Sequence, residues 1–374
     1  MGHLLTDRKP VVAVLTVGDP EGQFRGNRAN FKDIINTGKN LEIPVYVVTT
    51  KDLKLSAQRI QGYHYDPEEK SWTKQWFPLP DVIYNRIPLR EDERKKKVRK
   101  KIKEVIQHKT IHIYNPYFFN KRKLFNWLKK NRSTRMLVPD TKRLLGPKTL
   151  CNMLYTYERL YLKPESGKAG KGIMLLQYEE EHVKPYRLTI QGQRYRHIIY
   201  RTDNLGSLWS RIQKEMNNTP YIMQEGIQLT SYKDRNFDLR VLVQKTGKGV
   251  WMVTGVGARL AGLKRITTHV PQGGSIESPE KMLNPSFGSE MTTVILHRLK
   301  SNAVLIAKQI EKSSGYLLGE MSMDLGIDTE GNMWFFEANS KPMKFDEPQI
   351  RKKSLQRIFQ YSQHLINQPK NADH

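Results

Sequence analysis

Asp324, Glu337 and Asn339 fall in the stretch GEMSMDLGIDTEGNMWFFEANSKP, where two carboxylates and an amide could hold a divalent cation. Apolar runs at Met321 to Ile327 and Met333 to Ala338 flank the turn-rich Asp328-Thr329-Glu330-Gly331-Asn332, the pattern of two antiparallel strands joined by a short loop. A loop from Thr329 to Asn332 would pair Asp328 with Met333 and set Asp324 opposite Glu337. Asn339 then shares their face, because strand side chains alternate. Directly opposed carboxylates have Cβ atoms roughly 5 Å apart and repel unless a cation or a shared proton sits between them. Oxygen ligands point to magnesium, with manganese as the alternative, and magnesium is commonly held by one or two carboxylates together with substrate phosphates. Taken alone, the segment is equally well a plain exposed acidic hairpin.

A phosphate cradle stands upstream, in RLYLKPESGKAGKGIMLLQY. Leu160 to Leu162 and Ile173 to Leu176 read as strands, and the loop between them carries Gly167, Gly170 and Gly172 with Lys163, Lys168 and Lys171. Glycine lets backbone N–H groups approach phosphate oxygens, and lysine supplies a compact counter-charge. The residues after Gly167 do not follow the P-loop pattern, and strands flank the loop on both sides. Such a loop would cover phosphates as a flap, unless it is only a solvated basic turn.

The order of segments sharpens the reading. VPDT, YLKPESGKAGKGI, QEGIQL, FDLRVLVQ, GVGARL and EANSKP follow one another along the chain. As a set they resemble the ATP-grasp superfamily and, within it, the YheC/YheD family of endospore-coat-associated ATP-grasp proteins, over about residues 111 to 365. The resemblance implies an α/β architecture: an ATP-grasp fold behind an N-terminal α/β lobe. It implies that Lys163 contacts ATP phosphates from the flap strand, with Ser166, Gly167, Gly170, Lys171 and Gly172 around them and Lys121 as an earlier nucleotide contact. Gln224, Glu225 and Ile227 would form the hinge that meets adenine. Asp238 and Arg240 match an Asp-x-Arg strand pair whose aspartate steadies the arginine, Arg259 adds positive charge near the transferred phosphoryl group, and Asp324, Glu337 and Asn339 hold the metal. Two departures stand out. Gln228 and Leu229 follow the hinge where a ribose-binding carboxylate is common, leaving Asp234 as a substitute, and THVPQGGS carries His269 and Gln272 where an asparagine and a basic residue are expected.

The 374 residues suffice for two or three lobes with a sizeable core, and 38% hydrophobic content suits a folded chain. The one cysteine, Cys151, excludes an intramolecular disulfide and fits a reducing compartment. Met1 to Pro10 lacks a signal-like apolar stretch, and no segment approaches the roughly 18 apolar residues of a membrane span. A cytoplasmic protein is expected, with an end in the spore coat implied by the resemblance. His108 and His112 read as structural and not as a zinc motif.

The net charge of +26 exceeds what ATP needs. Its densest run, Lys95 to Lys103, places Val98, Ile102 and Val105 at helical spacing, so a basic helix with one buried stripe is expected. That face is either simply solvated or attracts a polyanion such as an acidic polypeptide or an anionic envelope polymer. No signature turns the charge into sequence reading, so nucleic acid is the minor alternative.

Residues 1–115 alternate strand and helix, with PVVAVLTV, IPVYVVTT and PDVIYNRIPL as strands and a helix from Arg28 to Thr37. Asn85 and Arg86 end a strand, where an open α/β sheet meets ligand or simply begins a polar loop. Residues 116–226 should form the nucleotide-binding lobe and 227–374 the metal-bearing lobe, with helices at Thr292 to Glu311 and Gln349 to Ile366. The function implied by the resemblance is a carboxylate–amine ligase: magnesium–ATP phosphorylates a carboxylate, and a nucleophile displaces phosphate. A nucleotide-binding coat component without turnover is the second reading. Phosphotransfer to a hydroxyl ranks third, because Asp324-Leu325-Gly326 has no His-Arg-Asp segment upstream.

Overall fold

The computed structural model describes residues 8–165, 172–191, 197–262 and 275–368. Val12 to Thr16 is buried at every position, as befits a central parallel strand covered on both faces. This strand, β1 (Val12–Thr16), pairs in parallel with β2 (Val45–Thr49) and with β5 (Val82–Asn85), which pairs in parallel with β6 (His112–Tyr114). An antiparallel hairpin, β3 (Arg59–Asp66) and β4 (Ser71–Pro78), extends the sheet beyond β2, giving the order β4-β3-β2-β1-β5-β6. The sequence reading missed that hairpin: the β4 face is largely exposed, so hydrophobic alternation is weak there. Helix α1 (Arg28–Asn40) starts at the Asn27 cap and runs past the expected Thr37. The short α2 (Arg90–Arg94) precedes α3 (Lys96–Ile106), which buries Val98, Ile102 and Val105 as the spacing predicted.

The second sheet holds the flap strands. Helix α4 (Lys121–Lys129) and strand β7 (Thr141–Arg143) lead into α5 (Pro147–Tyr157), followed by β8 (Arg159–Pro164), β9 (Met174–Tyr178), β10 (Tyr186–Gln191), β11 (His197–Thr202), α6 (Leu205–Met216) and β12 (Tyr221–Glu225). The strand order is β11-β10-β9-β8-β12-β7, all antiparallel, and α5 and α6 close its apolar face through Leu150, Leu154, Leu208 and Ile212.

The third sheet contains β13 (Ser231–Tyr232), β14 (Arg235–Lys245), β15 (Trp251–Leu260), β16 (Ser275–Glu277), β17 (Glu320–Ile327) and β18 (Met333–Asn339), in the order β16-β15-β14-β17-β18 with β13 on β14. Its core lies under α7 (Pro279–Ser314) and α4, through Leu124, Phe125, Leu299, Ile306 and Phe335. Helix α7 covers the expected Thr292 to Glu311 but begins earlier, with a break at Gly288, whose φ of 71° only glycine adopts without strain. Helix α8 (Pro348–Ile366) places Leu355, Ile358 and Phe359 in one apolar cluster with Val12, Val14 and Phe31, tying the chain's end to the first sheet. Among the described residues no helix is long and apolar enough to cross a membrane.

Buried polar groups join the first sheet to the third. Asn115 donates to the carbonyls of Glu320 and Ser340 at 2.7 and 2.6 Å and accepts from the Gly319 N–H at 2.8 Å, satisfying its amide on both sides. Asn85 donates to the Asn115 and Pro116 carbonyls, and Arg86 reaches Glu320 and the Pro342 carbonyl. Arg86 and Asn115 thus staple the first sheet to the third, while Asn85 ties the ends of β5 and β6 within the first. His108 accepts the Thr110 and Ile111 N–H groups at Nδ1, a local structural role.

Candidate nucleotide and metal site

Asp324 of β17 and Glu337 of β18 are direct cross-strand partners, and Asn339 lies two residues beyond Glu337 on the same face. The route to that pairing differs from the expected one. Ile327, not Asp328, pairs with Met333, so the loop spans Asp328 to Asn332, and a bulge between Asp324 and Leu325 restores the register at Glu337. Asp328 is excluded from the ladder because its carboxylate accepts the N–H groups of Glu330 and Asn332 and the indole N–H of Trp334. Phe336 is the extra residue of the bulge, which re-aims its side chain. Its ring lies over Gly326, where an added Cβ would meet Phe336 Cε2 at 2.4 Å. The sequence reading did not single out Phe336; a glycine facing an aromatic across a hairpin is the signal that was there to find.

Asp324 is 8% exposed. Its Oδ2 takes the Arg259 Nη2 at 2.8 Å, while Oδ1 is buried with no partner among the described residues. The Asp238 carboxylate also grips Arg259, through Nε at 2.8 Å and Nη2 at 2.9 Å. Burial works against the Arg259 charge, but Asp324 and Asp238 outweigh it and hold the guanidinium firmly protonated. The expectation that Asp238 steadies Arg240 is thus corrected. Asp238 faces Arg259 across the β14–β15 ladder and pairs with it, whereas Arg240 sits opposite Asp324 in the β14–β17 register with its charge 5.3 Å from the Phe345 ring and its Nε buried without a partner.

Lys121 opens α4 after the Asn120 cap and brings its amine to 3.4 Å from Glu337. Lys163 of β8 donates to the Gln224 side chain on β12, which in turn donates to Thr141. The Lys163 amine stands 5.3 Å from the Tyr161 ring and 5.5 Å from that of Phe336. Burial, helped by the neighbouring Lys121 charge and opposed by Glu337, pushes Lys163 down to about 7. The protein brings Lys121, Lys163, Phe336 and Glu337 into one cluster.

At the hinge, Glu225 braces its neighbour by accepting the Asp140 N–H at 3.0 Å. Gly226 donates to the Arg159 carbonyl, and a Cβ there would meet that backbone oxygen at 2.8 Å, so only glycine fits. Ile227 is half-buried, and among the described residues its N–H has no partner. Gly172, with φ 74°, closes the base of the flap, its carbonyl accepting from Tyr221. Ser166, Gly167, Lys168, Gly170 and Lys171 lie outside the described residues, as do His269 and Gln272. Asp234 occupies an exposed turn between β13 and β14 with φ 58°.

The motif after Asn339 is a buttress. Ser340 donates to the Tyr117 carbonyl, and Lys341, pushed down by burial to about 8, is held 2.7 Å from Glu93. The oxygens left over are what a cation needs. Among the described residues Asp324 Oδ1 is a buried orphan, the Asn339 side chain makes no hydrogen bond, and the Glu337 carboxylate forms an ion pair only with Lys121. An all-oxygen donor set fits a hard divalent ion. Among the described residues no cluster of three His, Cys, Asp or Glu side chains competes with it.

Three sheets, a flap hairpin beside a hinge and an acidic β-hairpin define an ATP-grasp protein. Residues 110–365 match the family described as YheC/D-like ATP-grasp, and the chain belongs to that family. The endospore coat-associated protein YheD of Bacillus subtilis (strain 168) is 26% identical over 364 residues, covering 95% of this chain and 79% of YheD. YheC of the same organism is 19% identical over 295 residues, covering 79% of each. Among solved structures, the D-cycloserine synthetase DcsG superposes with a TM-score of 0.52 at 10% identity, covering 93% of this chain and 99% of that one. D-alanyl-alanine synthetase A from Vibrio cholerae gives 0.51 at 11% identity, with 97% and 100% covered. These two likenesses are of fold.

Proposed function

We propose that the protein is an ATP- and magnesium-dependent ligase that joins a carboxylate to an amine or similar nucleophile, and that it acts in or on the endospore coat. The observation that carries this reading is Asp324, buried opposite Glu337 with one oxygen left without a partner among the described residues. A buried carboxylate oxygen without a partner is costly, and a ligand is the simplest compensation.

In this reading Asp324, Glu337 and Asn339 hold the cation, whose contribution when bound is to neutralise charge on the triphosphate oxygens. Arg259 keeps Asp324 Oδ2 occupied, so Oδ1 is the oxygen presented to the ligand. Lys163, pinned by Gln224, meets the phosphates from the flap side, and Ser166, Gly167, Gly170, Lys171 and Gly172 are the further phosphate contacts that the family resemblance implies. Lys121 leaves Glu337 to add a second cation. Adenine enters between the Ile227 hinge and the Phe336 ring, its edge read by the Ile227 N–H, which has no partner among the described residues. Arg240, with no carboxylate partner among the described residues, orients the acid substrate. A substrate carboxylate oxygen then attacks the γ-phosphorus and ADP leaves; the nucleophile attacks the acyl carbon and phosphate leaves. Positioning and electrostatics supply most of the rate. Division into lobes at 1–115, 116–226 and 227–374 belongs to the same proposal, with α4 packing across onto the third sheet.

The relatives named as endospore coat-associated support the setting. A second reading, nucleotide binding without turnover in a coat component, draws on Arg259, whose charge is engaged by two carboxylates and so is not free for a phosphoryl group. ADP formation measured with pooled amino acids, peptides and envelope precursors separates the two. The ligase gives acceptor-dependent ADP, and ADP made at the same rate without acceptor refutes it.

A further inference from the structure

The nucleotide site uses little of the net charge of +26. On α3 the surplus is ordinary: Lys96, Lys97, Arg99, Lys100 and Lys103 lie exposed on a convex face. On α8 it is arranged differently. A cavity of about 440 Å³ opens between α8 and the turn joining β14 to β15, walled by the helix face from Gln349 to Gln360 and by Thr246 of the turn. Gln349, Lys352, Lys353, Gln356 and Gln360 recur at helical spacing, and no acidic residue lines the wall.

Beneath the lysines lies Arg357, only 5% exposed. Its Nη1 donates to the Met252 carbonyl at 3.0 Å and to Thr254 Oγ1 at 2.7 Å, both neutral. Among the described residues no carboxylate comes within ion-pair distance of Arg357, Lys352 or Lys353. Burial and the nearby Arg357 and Lys300 charges hold the Lys353 amine below its ordinary value. The side-chain amides of Gln349, Gln356 and Gln360 also make no hydrogen bond among the described residues. A buried guanidinium calls for a counter-charge, and among the described residues Arg357 has only these two neutral acceptors, with further cations and unused amide donors around it. The cleft opens beyond the Lys245 end of β14, roughly 25 Å along the strand from Asp238, so it is separate from the nucleotide site.

We propose that this cleft is a second anion site, one that takes a phosphoryl group between Lys352 and Lys353 above Arg357, with the glutamine amides contacting whatever the phosphoryl group is attached to. A tetrahedral dianion suits a wall of three cations and amide donors, and the volume leaves room for a small organic body. The proposal does not depend on the ligase reading.

Calorimetric titration of the full chain at low salt with inorganic phosphate and with ribose 5-phosphate tests it. Wild type, a Lys352→Gln/Lys353→Gln variant and a Lys163→Gln variant are compared, the paired lysines being exposed and their loss compatible with folding. The expected result is at least a tenfold loss of affinity in the paired variant, no loss in Lys163→Gln, and unchanged affinity of the paired variant for magnesium–ATP. Tighter binding of the ester than of free phosphate assigns the site to an organic phosphate, and equal binding assigns it to inorganic phosphate; either result supports the site. Undiminished binding by the paired variant, or loss only in Lys163→Gln, overturns it.

Discussion

Glu320 and Asp324 stand on one face of the same strand, and both are buried, at 4% and 8% exposure. Glu320 has partners on both oxygens: Tyr84 at 2.6 Å and Arg86 at 3.3 Å on Oε1, and Gln244 at 3.2 Å on Oε2. Asp324 has Arg259 on one oxygen and, among the described residues, nothing on the other. Burial costs each carboxylate its water, but only the first is fully compensated by the protein. The fully satisfied acid joins parts of the fold, and the half-satisfied one has the oxygen that the proposed cation would complete. The same contrast separates Asn115, whose amide is satisfied on both sides, from Asn339, whose amide is idle among the described residues.

Breaking the satisfied member should do the most damage. Glu320→Ala leaves Arg86 buried without its charge partner, and a loss of about 3–5 kcal/mol in unfolding free energy is expected by denaturant titration, with no dependence on magnesium. A loss as small as that of a surface substitution would erase the distinction between the two acids. Asp324→Asn keeps shape and leaves Arg259 its Asp238 partner, so the fold should hold. Magnesium-dependent nucleotide affinity, read by calorimetry, should fall by about 1.5–3 kcal/mol, the worth of a charged hydrogen bond. Unchanged affinity with and without the ion would show that the orphan oxygen has no ligand.

Gly326→Ala probes the seat of Phe336. Its Cβ would fall 2.4 Å from the ring, so a loss of about 1–3 kcal/mol in stability is expected, together with weaker nucleotide binding as the bulge shifts. The smallest effect concerns proton uptake at Lys163, which sits near 7 before ligand binds. Phosphate favours the charged amine, so nucleotide affinity should decline as pH rises above about 7, by at most about tenfold per unit. The sign for stability is opposite. Between about 7 and the ordinary lysine value the unfolded chain carries the proton that the folded chain has lost, so stability of the ligand-free protein rises with pH in that window. Lys163→Gln should flatten both profiles.

Much of the fold was legible from local pattern. The buried parallel strands, the apolar stripe of α3, the flap hairpin and the acidic hairpin each announced themselves through period and turn residues, because side-chain spacing and backbone preference act within a few residues. The β3–β4 hairpin did not, because the large side chains of β4 line no consistently buried face. In the acidic hairpin the opposition of Asp324 and Glu337 was foreseen through a wrong register that the bulge at Phe336 made good.

By itself the sequence determined which chemistry was present: two acids and an amide on one strand pair, a lysine-bearing hairpin, a hinge and a surplus of cations. Only the tertiary structure decided the pairings. Arg259, and not Arg240, took Asp238; Glu320 acquired partners from a sheet more than two hundred residues away in the chain; and Arg357 was buried with no carboxylate partner among the described residues. The reason is physical: charge and periodicity belong to a residue and its neighbours, but desolvation and the partner that compensates for it depend on which distant strands the core brings together.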